Sequence, residues 1–510
     1  MTFSSILFDR PDAASVLDPH QASELFGDLN LDQVFSAVRA GRDEYELEPL
    51  FRSLLNDVES IRYRHDALRD LESEGLAKVV RAFGTAMRTV RGRLGRGADL
   101  HHRHQKARWI LEAVAIYGDA VSALADGLAA QKPRSAAFVG LRDYVVAYRR
   151  SEPFTALLAE AAEVTSGLDS VRYNVRIKGN RVTVSGYAGE ADYGAEVERT
   201  FEKFAQGEVR DREFAFREEP AMDRVEMTVL EMVADIYSET FRALDRFVEV
   251  HADYLDPVLA RFDREVQFYL AYIELIDSIR SPELPFCYPT VTLAKEILAR
   301  DAFDLALARK LRREHGTTVL NDLRLSGKER ILVVTGPNQG GKTTFARTFG
   351  QLHYLARLGL PVPGTEARLC LFDRLFTHFE RQEGTESLTG KLEDDLIRIQ
   401  LIFAEATEHS LIILNESFSA TTAEDGLLLG RLVLGKLVAL DALAVYVTFL
   451  HELATDGPAT VSMVSSVHPA DPGRRTFHFL RKPPEGLAYA LAIAEKYALT
   501  YKDVKRRVVA

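Results

Sequence analysis

Cysteine is nearly absent: Cys287 and Cys370 are the only two in 510 residues. Two thiols cannot make a disulfide framework or, by themselves, a zinc site. That scarcity fits a reducing compartment, and a cytoplasmic protein is expected. Long hydrophobic runs are missing too: none reaches the roughly 18–20 residues of a membrane span, so no membrane partner is expected. The opening Met-Thr-Phe-Ser-Ser-Ile lacks a basic start before an apolar stretch, so no secretory signal is expected. Positive charge is also in deficit, with a formal net charge of -11. This argues against a protein that coats nucleic acid through bulk charge, yet phosphates respond to local Lys and Arg density.

What is present is ordinary in bulk and uneven along the chain. Hydrophobic residues make up 46% and charged residues 27%, as in globular proteins. The length implies two to four domains at roughly 100–200 residues each. Residues 1–45 read as a short leading segment. From about Glu46 to Leu128 apolar residues recur at helical spacing, as in Leu50, Leu54, Val58 and Ile61, then Ile110, Val114, Val121 and Leu124;. Pro133 interrupts the pattern. Between Val171 and Gly186, two β-branched alternating runs flank Gly179-Asn180, the signature of a β-hairpin. Helical spacing returns at Val225, Val229, Met232, Val233 and Ile236 and runs to about Ile279. The Pro-rich stretch from Ser281-Pro282 to Pro289 reads as a domain boundary. Beyond it, Ile331–Val334, Leu411–Leu414 and Ala444–Thr448 are short apolar strand candidates separated by helical stretches. That alternation predicts an α/β domain over 290–510 with a largely parallel sheet.

The chemistry lies in that second half. Gly336-Pro337-Asn338-Gln339-Gly340-Gly341-Lys342-Thr343, followed by Thr344, fits the eight-position phosphate-binding loop, with a strand before it and a helix after it. Glycine lets the backbone wrap so that its N–H groups face phosphate oxygens, and the helix start adds a favourable dipole. ATP with Mg²⁺ is the expected cofactor: Lys342 reaches the β- and γ-phosphates and the Thr343 hydroxyl ligates the metal. Leu411-Ile-Ile-Leu-Asn415-Glu416 supplies the second strand that such a loop requires. Glu416 is placed to orient or deprotonate the attacking water. Asn415 occupies the place of the usual metal-linked aspartate; its amide oxygen still accepts a hydrogen bond but brings no charge.

Thr335-Gly-Pro-Asn-Gln-Gly-Gly-Lys-Thr-Thr344, with Pro-Asn after the first glycine, resembles the phosphate loop of the MutS family of DNA mismatch-repair ATPases. Further stretches are similar in the same order: Ala406-Thr407, Ser410 to Glu416, Thr421-Thr-Ala-Glu-Asp425-Gly426, Thr448-Phe-Leu-His451-Glu452-Leu453, and Gly486 to Ala494. The resemblance is strong over about 320–508 and weak over 46–280. It implies an α-helical lever and core region over 46–280 with a small β-containing clamp insert at about 167–219, followed by an α/β ABC-type P-loop ATPase domain. It also implies a homodimer in which Ser387 or Thr389 completes the partner's nucleotide site. His451 takes a catalytic γ-phosphate role, because Phe449 stands where the family has its first switch histidine.

DNA, duplex or branched and read with low sequence specificity, is the partner that the resemblance implies. Arg172, Arg176, Lys178 and Arg181 of the hairpin match the clamp in position. A second basic cluster runs from Arg81 to Arg108, around His101, His102 and His104. The 45 residues before the helical region contain no Phe-any-Glu wedge, so a shortened relative without mismatch recognition is expected. The leading expectation is an ATP-gated DNA clamp in repair or recombination control. A slowly hydrolysing, ATP-switched scaffold for a protein partner is the alternative. A coiled-coil chromosome-type ATPase would need longer heptad arms than 46–280 provides.

Overall fold

The computed structural model describes residues 3–179, 181–189, 222–380, 390–468, 471–484, 499–501 and 505. Two compact units emerge: residues 70–134 with 138–263, and residues 4–69 with 264–510 together with 135–137.

The first unit is built on long helices, including Glu74–Asp99, Arg103–Gln131, Glu152–Asp169 and Ser238–Val250. The last three of these bring their apolar stripes together in a core of Leu111, Val114, Leu157, Val164, Leu244 and Phe247. Helix Arg103–Gln131 is long and apolar enough, by length and composition, to cross a membrane, which the count of unbroken apolar runs did not anticipate. Its Leu111, Val114, Tyr117, Val121, Leu124 and Leu128 are buried by protein, the pattern of a core helix in a globular unit. It stops at Lys132, which adopts a left-handed conformation just before Pro133 forbids continuation. Asp223 accepts from the N–H groups of Val225 and Glu226, while Glu226 accepts from the Asp223 N–H. This capping box starts helix Arg224–Ile236 by satisfying N–H groups that the first turn leaves open.

The expected hairpin forms as β1 (Tyr173–Lys178) and β2 (Arg181–Gly186), antiparallel with Lys178 opposite Arg181. Gly179 has φ +62, and a two-residue turn of this hand suits the strand twist. Val171 and Val184 pack with Val233, Ala234 and Phe241. Asn180 and the rest of the proposed insert from 190 onward lie outside the described residues.

The second unit carries a six-stranded sheet: β3 (Ile331–Thr335), β4 (Leu375–Phe379), β5 (Leu411–Asn415), β6 (Leu443–Val447), β7 (Thr460–His468) and β8 (Asp471–Arg481). The order is β4-β5-β6-β3-β7-β8, parallel except for the antiparallel edge strand β8. Strands β3, β5 and β6 are buried throughout, which is why they read as unbroken apolar runs and not as alternation. A four-stranded sheet of Thr290–Thr292, Glu366–Cys370, Ile297–Ala302 and Asn321–Leu325 belongs to the same unit.

Helix α1 (Lys342–Arg357) follows the phosphate loop, and all of it except Thr343, Thr344 and Arg347 is buried. A helix covered on every side needs partners for its polar groups. The N-terminal residues supply them: Gln351, Tyr354 and Arg357 donate to the carbonyls of Leu29, Phe51 and Leu55. Residues 4–69 thus brace the helix behind the site. The leading segment is itself helical, at Pro19–Leu29 and Leu31–Arg39. The helical spacing that begins at Leu50 is broken at once. Ser53–Leu55 is a strand paired with Ala14–Val16, because long-range pairing outweighs a four-residue local pattern.

Candidate nucleotide-binding site

The phosphate loop leaves β3 and turns through Gly336, with φ +131, where a Cβ would lie 2.7 Å from Ser465 Cβ on β7. At Gly340 a Cβ would come within 2.6 Å of Ser465 Oγ, which donates to the Gly340 carbonyl at 2.7 Å. Only glycine lets the loop lie this close to β7. Gly341, at φ +87, sits at the N-terminal end of α1. The N–H groups of a helix start are therefore available to an anion, with the helix dipole behind them.

Lys342 is buried at 4% exposure. Its ammonium donates to the carbonyls of Gly336 and Pro337 at 3.1 and 3.4 Å and to Asn338 Oδ1 at 3.4 Å. Glu416 Oε1 is 3.6 Å away, and the Phe449 ring centroid lies 4.9 Å from the nitrogen. Burial pushes the Lys342 ammonium below its ordinary pKa, and Glu416 pulls in the opposite direction. A cation held by carbonyl dipoles in a desolvated loop is prearranged for a charged ligand.

A cavity of about 480 Å³ opens beside the loop. Gln339 to Thr344 and Glu416 line it, together with Leu307, Leu311, Val319 and Phe477. The lining thus combines backbone at a helix start with apolar side chains, a mixture suited to a phosphorylated ligand with a flat apolar part.

Glu416 follows the last residue of β5 and has a left-handed backbone, φ +56. Its N–H donates to the Val447 carbonyl of β6 at 3.0 Å. Asn415 is 6% exposed, and its Oδ1 has no hydrogen-bond donor among the described residues. An orphaned acceptor at this depth, at the end of β5 just before Glu416, fits a metal-bound water or the Thr343 hydroxyl. The donor set of Thr343, Asn415 and nucleotide phosphates suits Mg²⁺, which keeps several waters and uses few protein ligands.

His451 begins the short 3₁₀ segment His451–Thr455 and does not line the cavity; its Nδ1 is buried without a partner among the described residues. Phe449, two residues earlier, is the side chain that reaches Lys342. Ser387 and Thr389 lie outside the described residues, as does the stretch from Gly486 to Ala494.

Four residues at the site carry no motif. Asn321 donates to the Phe477 carbonyl at 3.1 Å and accepts from the Phe479 N–H at 2.7 Å. That amide clamp pins a strand segment in which Phe477 holds φ +62. The Phe479 ring packs on Phe345 of α1 with centroids 4.5 Å apart, and Arg475 donates to the Asn338 carbonyl at 3.3 Å. In sequence Arg475, Phe477 and Phe479 are spaced as on any strand, and Asn321 lies more than 150 residues before them. A positive φ at phenylalanine has no local signal.

The basic residues of the first unit divide in two. In the Arg81–Arg108 cluster much of the charge is spent internally. Arg91 pairs with Asp263, and Arg93 and Arg108 share Glu112 at 2.9 and 3.1 Å. Arg93 and Arg96 also stand over the single tryptophan, Trp109, at 4.8 and 5.5 Å. On the hairpin, strand alternation puts Arg176, Lys178, Arg181 and Thr183 on one exposed face;. Arg172 precedes β1 and turns back to the carbonyls of Asp169 and Val171.

Comparison with known proteins points to the half of the chain that carries the loop. Residues 332–503 match the family model MutS domain V. The chain is 30% identical over 227 residues to the DNA mismatch repair protein MutS of Shouchella clausii, covering 44% of this chain and 26% of that protein. It is 31% identical over 190 residues to Endonuclease MutS2 of Thermus thermophilus, covering 37% and 25% respectively. Identity to the MutS protein of Thermotoga maritima is 26% over 232 residues, 44% of this chain and 27% of that protein. The aligned part spans about a quarter of the length of these curated relatives. Residues 332–503 thus carry a MutS domain V, and the chain is MutS-related through it.

Proposed function

We propose that this chain is an ATPase acting in DNA repair or recombination control, and that ATP gates its hold on DNA. The observation that carries the reading is the Lys342 environment. A buried ammonium rests on loop carbonyls at a helix N-terminus, with Glu416 beside it and an open cavity in front. In the proposed cycle the nucleotide's phosphates replace the carbonyls around Lys342 and draw the ammonium away from Glu416. The freed carboxylate then orients or deprotonates the attacking water. Bound Mg²⁺, held by Thr343 and approached by Asn415 Oδ1, would supply charge neutralisation between the phosphates. Asn415 brings no negative charge to that metal, and Phe449 offers no hydrogen bond to a phosphate. Both features favour slow turnover and a long-lived ATP-bound state.

The DNA part of the proposal rests on the hairpin's basic face. Lys178 and Arg181 stand directly opposite each other, an arrangement that costs stability unless an anion lies across both. Guanidinium and ammonium groups contact phosphates, which set register but carry no sequence information. Duplex or branched DNA of any sequence is therefore the proposed ligand, with no preference for a mispair. The protein is proposed to act as a homodimer in the reducing cytoplasm.

The testing experiment measures ATP turnover and the binding of duplex, junction and G·T-mispaired DNA, each with and without ATP, alongside sedimentation. ATP-dependent DNA binding without mispair preference, and self-association tightened by ATP, are expected. Absence of DNA binding in every nucleotide state would reduce the protein to an ATP-switched scaffold.

A further inference from the structure

The turn after β5 is held more firmly than a surface turn requires. Glu416 and Phe418 both have left-handed backbones, φ +56 and +63, and such non-glycine residues persist only where their surroundings over-determine them. Three elements supply that determination. Val447 of β6 accepts the Glu416 N–H. Asp395, on helix α2 (Lys391–Glu405), accepts the Phe418 N–H through Oδ2 at 3.1 Å. His378 of β4 lies 3.2 Å from the Ser417 hydroxyl through Nδ1 and 3.1 Å from Asp395 Oδ1 through Nε2.

His378 is 0% exposed and Asp395 6%. Nε2 stands at ion-pair distance from the carboxylate without hydrogen-bond alignment, and Nδ1 faces the Ser417 hydroxyl. Burial pushes the Asp395 carboxyl up, yet its contacts with His378 and the Phe418 N–H outweigh that and hold it below its ordinary value. Asp395, His378 and Ser417 therefore form a run of contacts, the first two buried and Ser417 half-buried. It ends on the two residues that follow Glu416, and no described member lines the nucleotide cavity.

We propose that His378 and Asp395 are positioning residues for ATP hydrolysis, fixing the turn that aims the Glu416 carboxylate without touching the nucleotide. This rests on the ATPase reading above. A pair that merely filled the core would change the amount of folded protein, not the turnover of each folded molecule. This pair grips the backbone on the far side of Glu416, so loosening it lets the carboxylate wander, and small misplacements are costly in catalysis.

The test uses the full chain with His378→Gln, Asp395→Asn and the double variant, each checked by thermal melting. Three readouts are needed: steady-state turnover, direct titration with a fluorescent ATP analogue, and hydrogen exchange of the peptide containing 416–418. The expected result is a fall in kcat of about tenfold or more, with nucleotide affinity and KM kept within about threefold. The double variant should be no worse than the poorer single variant, since the two residues act as one unit. Exchange at 416–418 should quicken in all three. An unchanged kcat, a loss carried by ATP affinity, or additive single effects would overturn the proposal. If the wild-type chain binds ATP without turning it over, the ATPase reading fails by itself. Exchange then decides whether the pair holds the turn, and unchanged protection there would sink that claim too.

Discussion

The phosphate loop and the β1–β2 hairpin both present cations for an anion, and they do so by opposite physical means. Lys342 is buried, solvated by loop carbonyls and faced by Glu416. Arg176, Lys178 and Arg181 stand in water on an exposed strand face. A charge out of water interacts several times more strongly at the same distance, and salt screens it far less. The first arrangement suits one ligand held at a fixed place; the second is the one proposed to attract a long polyanion without choosing a sequence.

The contrast is broken most sharply at Glu416. Glu416→Gln should lower hydrolysis by on the order of 100- to 10,000-fold, the span of general-base contributions, while ATP still binds. Rapid turnover in that variant would remove Glu416 as the base. Lys342→Ala should weaken ATP binding or turnover by on the order of 100-fold with the fold intact, as read by titration and circular dichroism. Near-wild-type behaviour would place the nucleotide elsewhere.

The hairpin should respond to salt where the loop does not. Charge reversal at Arg176, Lys178 and Arg181 should flatten the dependence of log affinity on log salt by roughly 0.9 per lost phosphate contact. An unchanged slope would move the DNA contact to another face. The same variants should leave ATP affinity as it was, because the loop's charges lie in another compact unit.

Acid offers a further separation. His353 on α1 is held neutral, its pKa lowered to about 4 by burial, and burial likewise lowers His65 to about 3. The unfolded chain takes up these protons near pH 6.5 and the folded chain does not, so stability rises with pH and is lost as pH falls from about 6.5 toward 4. Each group contributes a slope of about 1.4 kcal/mol per pH unit in that window. His353→Leu should flatten the curve from denaturant unfolding. A wild-type stability that is level between pH 6.5 and 5 would contradict the buried neutral histidines.

The smallest effect is expected at Asn415→Asp, which restores a charge beside the metal position. Mg²⁺ affinity or turnover should rise roughly a few-fold, because an anionic oxygen replaces a neutral one beside the metal. Loss of activity would show a site tuned around the amide, and the slow-switch reading would fall.

By itself the sequence determined the elements whose information is local. The glycines and Lys342 of the loop, the buried strands β3, β5 and β6, the helix behind the loop and the hairpin around Gly179 all follow from spacing, propensity and backbone sterics within a few residues;. Tertiary structure alone decided what depends on segments far apart in the chain. It turned Leu54 and Leu55 into a strand and set residues 4–69 against α1. It also brought Asn321 to Phe477 and gathered His378, Asp395 and Ser417 behind Glu416. Hydrogen bonds and packing across hundreds of residues leave no periodicity in the sequence, because any residue of the right size and polarity satisfies the local pattern while only one position meets the partner.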